Sequence, residues 1–348
     1  MRISKPILIE KFVCLADACP DTCCAAWEIE LDAASAERYA SSSELSSLLC
    51  ADGVTLRQSE CGACPHLEAS GLCRAYAERP SVCREYPLHR HDLGSRRELG
   101  LSFSCPALAE MILSEKEPIA YLEYDDPSVY PDTYSEIDPA LLPLVLKGRQ
   151  DCFSLAADPS RSLFDRLSAI LLRSLSLEAE ISGKTAKPKK EIKASRKQRM
   201  ALFLKLLLLC RSFEYLDPTH KDLFSSALAL LQSDGAAERF ETYDAYMRER
   251  TQEYEKWISQ SLRQSYGQAA ETRDPLLRAK AVVSETLVLY LLGASRYAER
   301  GSLSLGDQAE IFRIFSREYE HSTENPSLFR RKLKRRAFSY QKFLAALG

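Results

Sequence analysis

Histidine is scarce in this chain of 348 residues, five in all, and tryptophan scarcer still at two. No apolar run approaches the roughly 18 residues of a membrane span. The strongest, residues 201–210, is interrupted by Lys205 and reads as a buried helix. The apolar stretch near Met1 is too short for a secretory h-region and lacks a small-residue cleavage site, so no leader peptide is expected. Thirteen glycines stand singly, without the Gly-rich strand-to-helix turn of nucleotide-binding folds. Neither an alternating strand–helix pattern nor a repeat of solenoid period is present. A net charge of −2 removes any global bias toward nucleic acid. A chain this long can bury an ample core, so it has no need of disulfide stapling. Together these absences point to a cytoplasmic, reducing setting, where clustered cysteines serve metal or redox chemistry.

Cysteine is what the chain has in plenty. Nine of its twelve cysteines follow a recurrent pattern in the N-terminal third: Cys14, Cys19, the adjacent Cys23 and Cys24, then Cys61, Cys64, Cys73, Cys83 and Cys105. Cys50, Cys152 and Cys210 stand apart. Thiols this dense seldom act as simple core filler.

The expected fold is mainly α: a small cysteine-rich, metal-organised region with a few short strands, on a helical C-terminal body. Residues 1–110 form the cysteine-bearing unit. Within it, residues 27–31 alternate apolar and acidic side chains like a short half-buried strand, and residues 53–57 suggest another. Asp32 is a plausible N-cap for a helix through Ala36, Tyr39 and Ala40. Residues 111–160 read as an irregular crossover, acidic and rich in proline and tyrosine, that pins Tyr121, Tyr124, Tyr130 and Tyr134 to the core. The helical domain spans 161–348, with helices expected over about 161–180, 198–213, 221–233, 237–264, 275–298, 306–320 and 327–346. A basic run at 183–199, containing Pro188, reads as a solvent-exposed linker or a docking strip for an acidic partner. The basic stretch 330–336 lies on an amphipathic helix.

A tetrahedral zinc site takes four sulfur or nitrogen ligands, usually delivered in close pairs. An iron–sulfur cluster takes four thiolates and tolerates looser, loop-borne spacing. Only His66, His89 and His91 compete nearby, so the thiolate-heavy set leans toward iron–sulfur over zinc. Adjacent Cys23 and Cys24 do not readily chelate one zinc together, which leaves one of them for a different site or for the core. The spacing Cys-x3-Cys-x2-Cys of radical initiators is absent, because its third position is Ala26. Trp27 reads as packing that shields the site. Arg74, Arg79 and Arg84 read as hydrogen-bond donors to a cluster or anionic cofactor, or as ordinary ion-pair partners.

Phe12, Cys14, Cys19, Cys23-Cys24, Trp27, Ile29 and Asp32, followed by Cys64-Pro65-His66-Leu67, Gly71-Leu72-Cys73, Cys83, Tyr86-Pro87 and Leu101 to Pro106, resemble the flagellin lysine-N-methylase (FliB-type) family. The stretch from Cys73 through Tyr76, Arg79-Pro80 and Cys83 to Pro87 is similar to the wider group of zinc- or iron-chelating proteins named for a CxxCxxCC signature. The resemblance is dense over the first 110 residues. It implies methyl transfer from S-adenosylmethionine to lysine ε-amines of flagellin, in a protein holding an iron–sulfur cluster, more plausibly 4Fe-4S than zinc. It places Cys14, Cys19, Cys23, Cys24, Cys64, Cys73, Cys83 and Cys105 on the family's metal-ligand positions and leaves Cys61 as an extra. His66 stands where an aromatic residue is expected. The alternative is a metal-binding module acting as sensor, store or interaction protein, without catalysis.

Overall fold

Four short strands gather residues from across the N-terminal third. In the computed structural model, which describes residues 1–25, 27–60, 62–129, 136–184 and 192–348, they are β1 (Arg2–Pro6), β2 (Leu88–Leu93), β3 (Arg96–Leu101) and β4 (Tyr121–Asp125). The sheet order is β2-β3-β1-β4, with β1 parallel to β3 and the other neighbours antiparallel. Residues 33–40 and 43–46 form α1 (Ala33–Ala40) and α2 (Ser43–Ser46), followed by α3 (Ser81–Glu85) and α4 (Pro106–Ser114). Asp32 caps α1 as expected, accepting from the Ser35 amide at 3.0 Å.

The body comprises α5 (Leu142–Ala156), α6 (Leu163–Ile181), α7 (Arg196–Cys210), α8 (Lys221–Gln232), α9 (Ala236–Met247), α10 (Thr251–Ser265), α11 (Ala269–Thr272), α12 (Pro275–Arg300), α13 (Leu305–Glu320), α14 (Glu324–Leu333) and α15 (Tyr340–Leu347). Helix α12 is its axis. Pro275 opens it, Gly301 in the left-handed region (φ +74°) ends it, and every residue from Leu277 to Ser295 is buried. A helix apolar on all sides requires neighbours on all sides, and α6, α7, α8, α10, α13 and α14 supply them. Hydroxyl caps set the starts of α6 (Ser162), α7 (Ser195) and α13, the last through a reciprocal Ser304–Asp307 capping box. No described helix is long and apolar enough to cross a membrane.

The small sheet is keyed to the body by one buried charge. Glu98 of β3 is fully buried and accepts two hydrogen bonds from Arg149 of α5 at 2.6 and 2.7 Å, with Arg96 at 2.7 Å and Arg263 of α10 at 3.9 Å. Gln260 of α10 accepts from the Leu101 amide and the Tyr121 hydroxyl, fastening β3 and β4 to the same helix.

The helical body agrees with the expected fold class, and the differences lie at boundaries. The helix expected over 237–264 is two helices, α9 and α10, and the one over 327–346 is α14 and α15, separated by the 3-10 turn Arg336–Phe338. Residues 111–160 are more regular than expected: the proline-rich stretch holds edge strand β4, and α5 runs from Leu142 to Ala156. Pairing with β1, which lies more than a hundred residues away, orders β4 despite its acidic composition. Residues 27–31 keep their alternating burial, but they and residues 53–57 form only isolated bridges, Glu30 to Thr55 and Leu49 to Leu56, and neither is a strand. The last four residues of the basic run, 196–199, belong to α7. Pro188, Tyr130 and Tyr134 lie outside the described residues.

The Glu98 network makes a measurable prediction. Burial pushes the carboxyl up, but hydrogen bonds and charge from Arg149, with Arg263 and Arg96, more than offset this and hold it at about 2, below the ordinary 4.5. A depressed carboxyl contributes stability that is present above 4.5 and is lost as pH falls toward 2. Arg149→Ala is expected to cost about 3–5 kcal/mol at neutral pH, read from urea unfolding. It should also flatten the stability decline between pH 5 and 2.

Candidate metal centre

Loops deliver the thiols, and local hydrogen bonds hold the loops. The Cys64 amide donates to the Cys24 carbonyl at 2.7 Å, and Leu67 bridges to Cys73. Gly71 adopts φ +82°, and a Cβ there would lie 3.1 Å from the Asp17 Cα, so only glycine lets this turn sit on the Cys14–Cys19 segment. Asp32, besides capping α1, accepts from Ser81 Oγ at 2.5 Å and thereby positions α3, which carries Cys83. These bonds from Ser81 and Ser35 hold the Asp32 carboxyl well below the usual carboxylate range.

The eight thiols fall into two sets, recognisable from which sulfurs feel one another's charge. Cys64, Cys73 and Cys83 interact mutually and with Cys24. Cys105 interacts with Cys19 and Cys14, and Cys19 with Cys14. Cys23 stands at the junction, hydrogen-bonded to Cys24 and also feeling Cys14 and Cys83. In the first set burial pushes Cys64, Cys73 and Cys83 up, with Cys83 reaching about 12 under the added charge of its neighbours. Cys24 moves the other way, lowered by its hydrogen bond with Cys23, by Thr22 and by the Arg79 charge. In the second set burial pushes Cys105 up to about 11, against amide donors from Ala107 and Leu108 at the start of α4. The Ala16 amide meets Cys14 Sγ at 3.4 Å. Such N–H···S bonds suit sulfur that carries charge.

Arg79 and Arg74 bring positive charge near these thiols, while their own hydrogen bonds go to the Tyr76 carbonyl and to His66. Arg79 acts on Cys24, Cys73 and Cys83, and Arg74 on Cys64. His66 is buried, with its Nε2 2.8 Å from the Tyr39 hydroxyl, so it packs beside the first set. Cys152 and Cys210 are buried in the helical core. Among the described residues no cysteine is in a disulfide. Cys61, expected to be an extra, lies outside the described residues.

Residues of α13 enter the head, and local sequence reading does not connect them with it. Asp21, between Cys19 and Cys23, pairs with both Arg313 and Arg317. Trp27 stacks on His321 with ring centroids 4.2 Å apart and meets Tyr86 edge-on at 4.8 Å. His89 Nε2 lies 2.7 Å from Glu320 Oε2, and Ser104 Oγ lies 2.8 Å from His321 Nε2. The available signal is helical: Arg313, Arg317 and Glu320 fall on one face at spacings of four and three. A cleft of about 330 Å³ opens elsewhere, lined by Tyr121, Phe153, Glu255, Lys256, Gln260 and Arg263 among others, with no cysteine in its lining.

A thiol-rich head docked on a helical bundle is the arrangement of a metal-chelating protein. Comparison with known proteins agrees: residues 13–102 match a zinc- or iron-chelating domain (CxxCxxCC), and residues 149–347 match the FliB lysine N-methylase C-terminal domain. The second match covers more than half of the chain, which therefore belongs to the FliB lysine N-methylase family. The lysine-N-methylase of Salmonella typhimurium is 25% identical over 141 residues, 35% of either chain. The flagellar biosynthetic protein FliU of Salmonella muenchen is 25% identical over 138 residues, 34% of this chain and 82% of FliU. The match thus spans about a third of the lysine-N-methylase's length. No solved structure matches the chain.

The Asp21 pairing is testable without reference to metal. Arg317 is almost fully buried, so Asp21→Asn leaves its charge largely uncompensated and is expected to cost about 2–3 kcal/mol. Limited proteolysis should then cut the 12–25 segment sooner than in the parent protein.

Proposed function

We propose that this chain is a protein-lysine N-methyltransferase that uses S-adenosylmethionine and acts on flagellin, and that its cysteines hold an iron–sulfur cluster. The gathering of the thiols into two groups with Cys23 between them carries the metal part of this reading. Clustered thiols that raise one another's pKa stay protonated unless a cation lies among them, so the donor set fits a positively charged metal group. Cys24, Cys64, Cys73 and Cys83 would hold one group. Cys14, Cys19, Cys23 and Cys105 are the donors available to a second. When bound, such a cluster supplies Lewis acidity or electrons.

Membership of the FliB family and the names of the relatives support the activity. Methyl transfer needs a neutral amine aligned with a sulfonium methyl and shielded from water. A free lysine, with a pKa near about 10.4, costs about 4–5 kcal/mol to neutralise at neutral pH, so a lysine-methylating site must be dry or supply a base. The head–body seam offers dry surroundings in the Trp27, Tyr86 and His321 rings. Burial pushes the Tyr86 phenol far up, which keeps it protonated. The basic run at 193–199 leaves Lys193 and Lys197 exposed and offers a docking strip to an acidic protein.

Flagellin incubated with the anaerobically purified protein and S-adenosylmethionine should gain mass in steps of about 14 Da, one methylene each. Unchanged flagellin would leave the chain as a metal-binding module without this activity. Separately, iron and sulfide analysis should show that Cys24→Ser, Cys64→Ser, Cys73→Ser and Cys83→Ser each lose the same cluster. Cys14→Ser and Cys105→Ser should retain it. Equal loss in all six variants, or zinc with no sulfide, would overturn the assignment.

A further inference from the structure

Two imidazoles and a carboxylate meet where the sheet touches the end of α13. His89 comes from β2, and Glu320 and His321 come from the last turn of α13 and the residue after it. A ring nitrogen of each histidine and a carboxylate oxygen all lie within 4.8 Å of one another. We propose that His89, Glu320 and His321 form a metal site separate from the thiols, which takes one divalent transition-metal ion of the iron-to-zinc series.

The donor chemistry points to that class of ion. Two histidines with one carboxylate, leaving positions open, is the ligand set of non-haem iron(II) and of hydrolytic zinc. Magnesium and calcium prefer all-oxygen shells. The surroundings hold these side chains in place, as metal ligands require. Ser102 Oγ donates to Glu320 Oε2 at 2.9 Å, and Ser104 Oγ sits 2.8 Å from His321 Nε2 and 2.6 Å from Ser102 Oγ. Tyr86 closes the chain, its hydroxyl 3.2 Å from Ser104 Oγ. Trp27 covers the face of His321. The carboxylate is nearly inaccessible while His89 remains about a fifth exposed, which gives the site an entry side.

A second observation points the same way. The His91 ring lies 6.3 Å from that of His89, and its Nε2 is buried with no hydrogen-bond partner. An unpartnered buried donor or acceptor is costly, and a metal-bound water or a shifted ligand sphere would satisfy it. Three of the chain's five histidines therefore converge on this point, drawn from positions 89, 91 and 321. Ser104 of this chain is the sequence neighbour of Cys105, so the proposed ion lies near the second thiol set without sharing a ligand with it.

Cobalt(II) separates the two kinds of site, because thiolate ligands give it intense ligand-to-metal charge transfer and nitrogen–oxygen ligands do not. The full chain, purified anaerobically with its thiol-bound metal in place, should take up one equivalent of Co²⁺ showing d–d bands without charge transfer. Glu320→Gln preserves the hydrogen-bonding shape and should weaken this binding at least tenfold, and His321→Ala should abolish it. Circular dichroism confirms that each variant is folded, and Glu320→Gln decides alone if His321→Ala is not. Uptake only with charge-transfer bands, no uptake, or equal affinity in the parent and Glu320→Gln would each overturn the proposal and leave the trio as a hydrogen-bonded joint between head and body.

Discussion

Thiols crowded around Cys24 cannot all ionise together. Burial and the charge of their neighbours push Cys64, Cys73 and Cys83 up, and only a cation among them lets all four carry charge. Most of the head serves to keep these sulfurs close in spite of that repulsion. The Cys64–Cys24 backbone bond, the Gly71 turn seated on Asp17, and Asp32 bracing both α1 and α3 are all short-range devices. None of them belongs to extended regular structure. The head's own apolar core is small, built on Ile29, Leu31, Tyr39, Leu49, Leu56 and Cys64. A core of that size gives modest stabilisation, so much of the head's order rests on polar ties and on whatever the thiols bind.

Two of the ties to the body are buried ion pairs. Glu98 with Arg149 and Arg263 anchors the sheet from inside. Asp21 with Arg313 and Arg317 anchors the cysteine loop from α13. Buried ion pairs contribute little net stability relative to an apolar match, but they cost much when one partner is removed. They therefore act chiefly to set the register of head on body. The seam they define brings Trp27, Tyr86, His89 and His321 together beside Cys105. Chemistry at that seam would depend on both parts of the chain, which accords with family matches to both.

How much was legible beforehand follows from sequence separation. Helices with their own period and caps, such as α6 with Ser162 and α12 between Pro275 and Gly301, are visible in the sequence because each signal lies within a few residues. Strands β1, β2 and β3 were not read as strands, and β4 was taken for irregular crossover, because their pairing partners lie far along the chain or their alternation is weak. Tyr121, a member of the expected crossover series, is held in β4 by the Gln260 carbonyl 139 residues away.

The sequence by itself determined that the protein is a cysteine-rich head on a helical body, which thiols recur in pattern, and the family they resemble. These properties reside in spacing and composition, which survive without coordinates. Only the tertiary structure decided which thiols feel one another's charge, and that Arg313, Arg317 and Glu320 of α13, with His321 just after it, reach the head. The physical reason is that partition and convergence depend on the directions of side chains from elements up to about three hundred residues apart, and no local pattern records those directions.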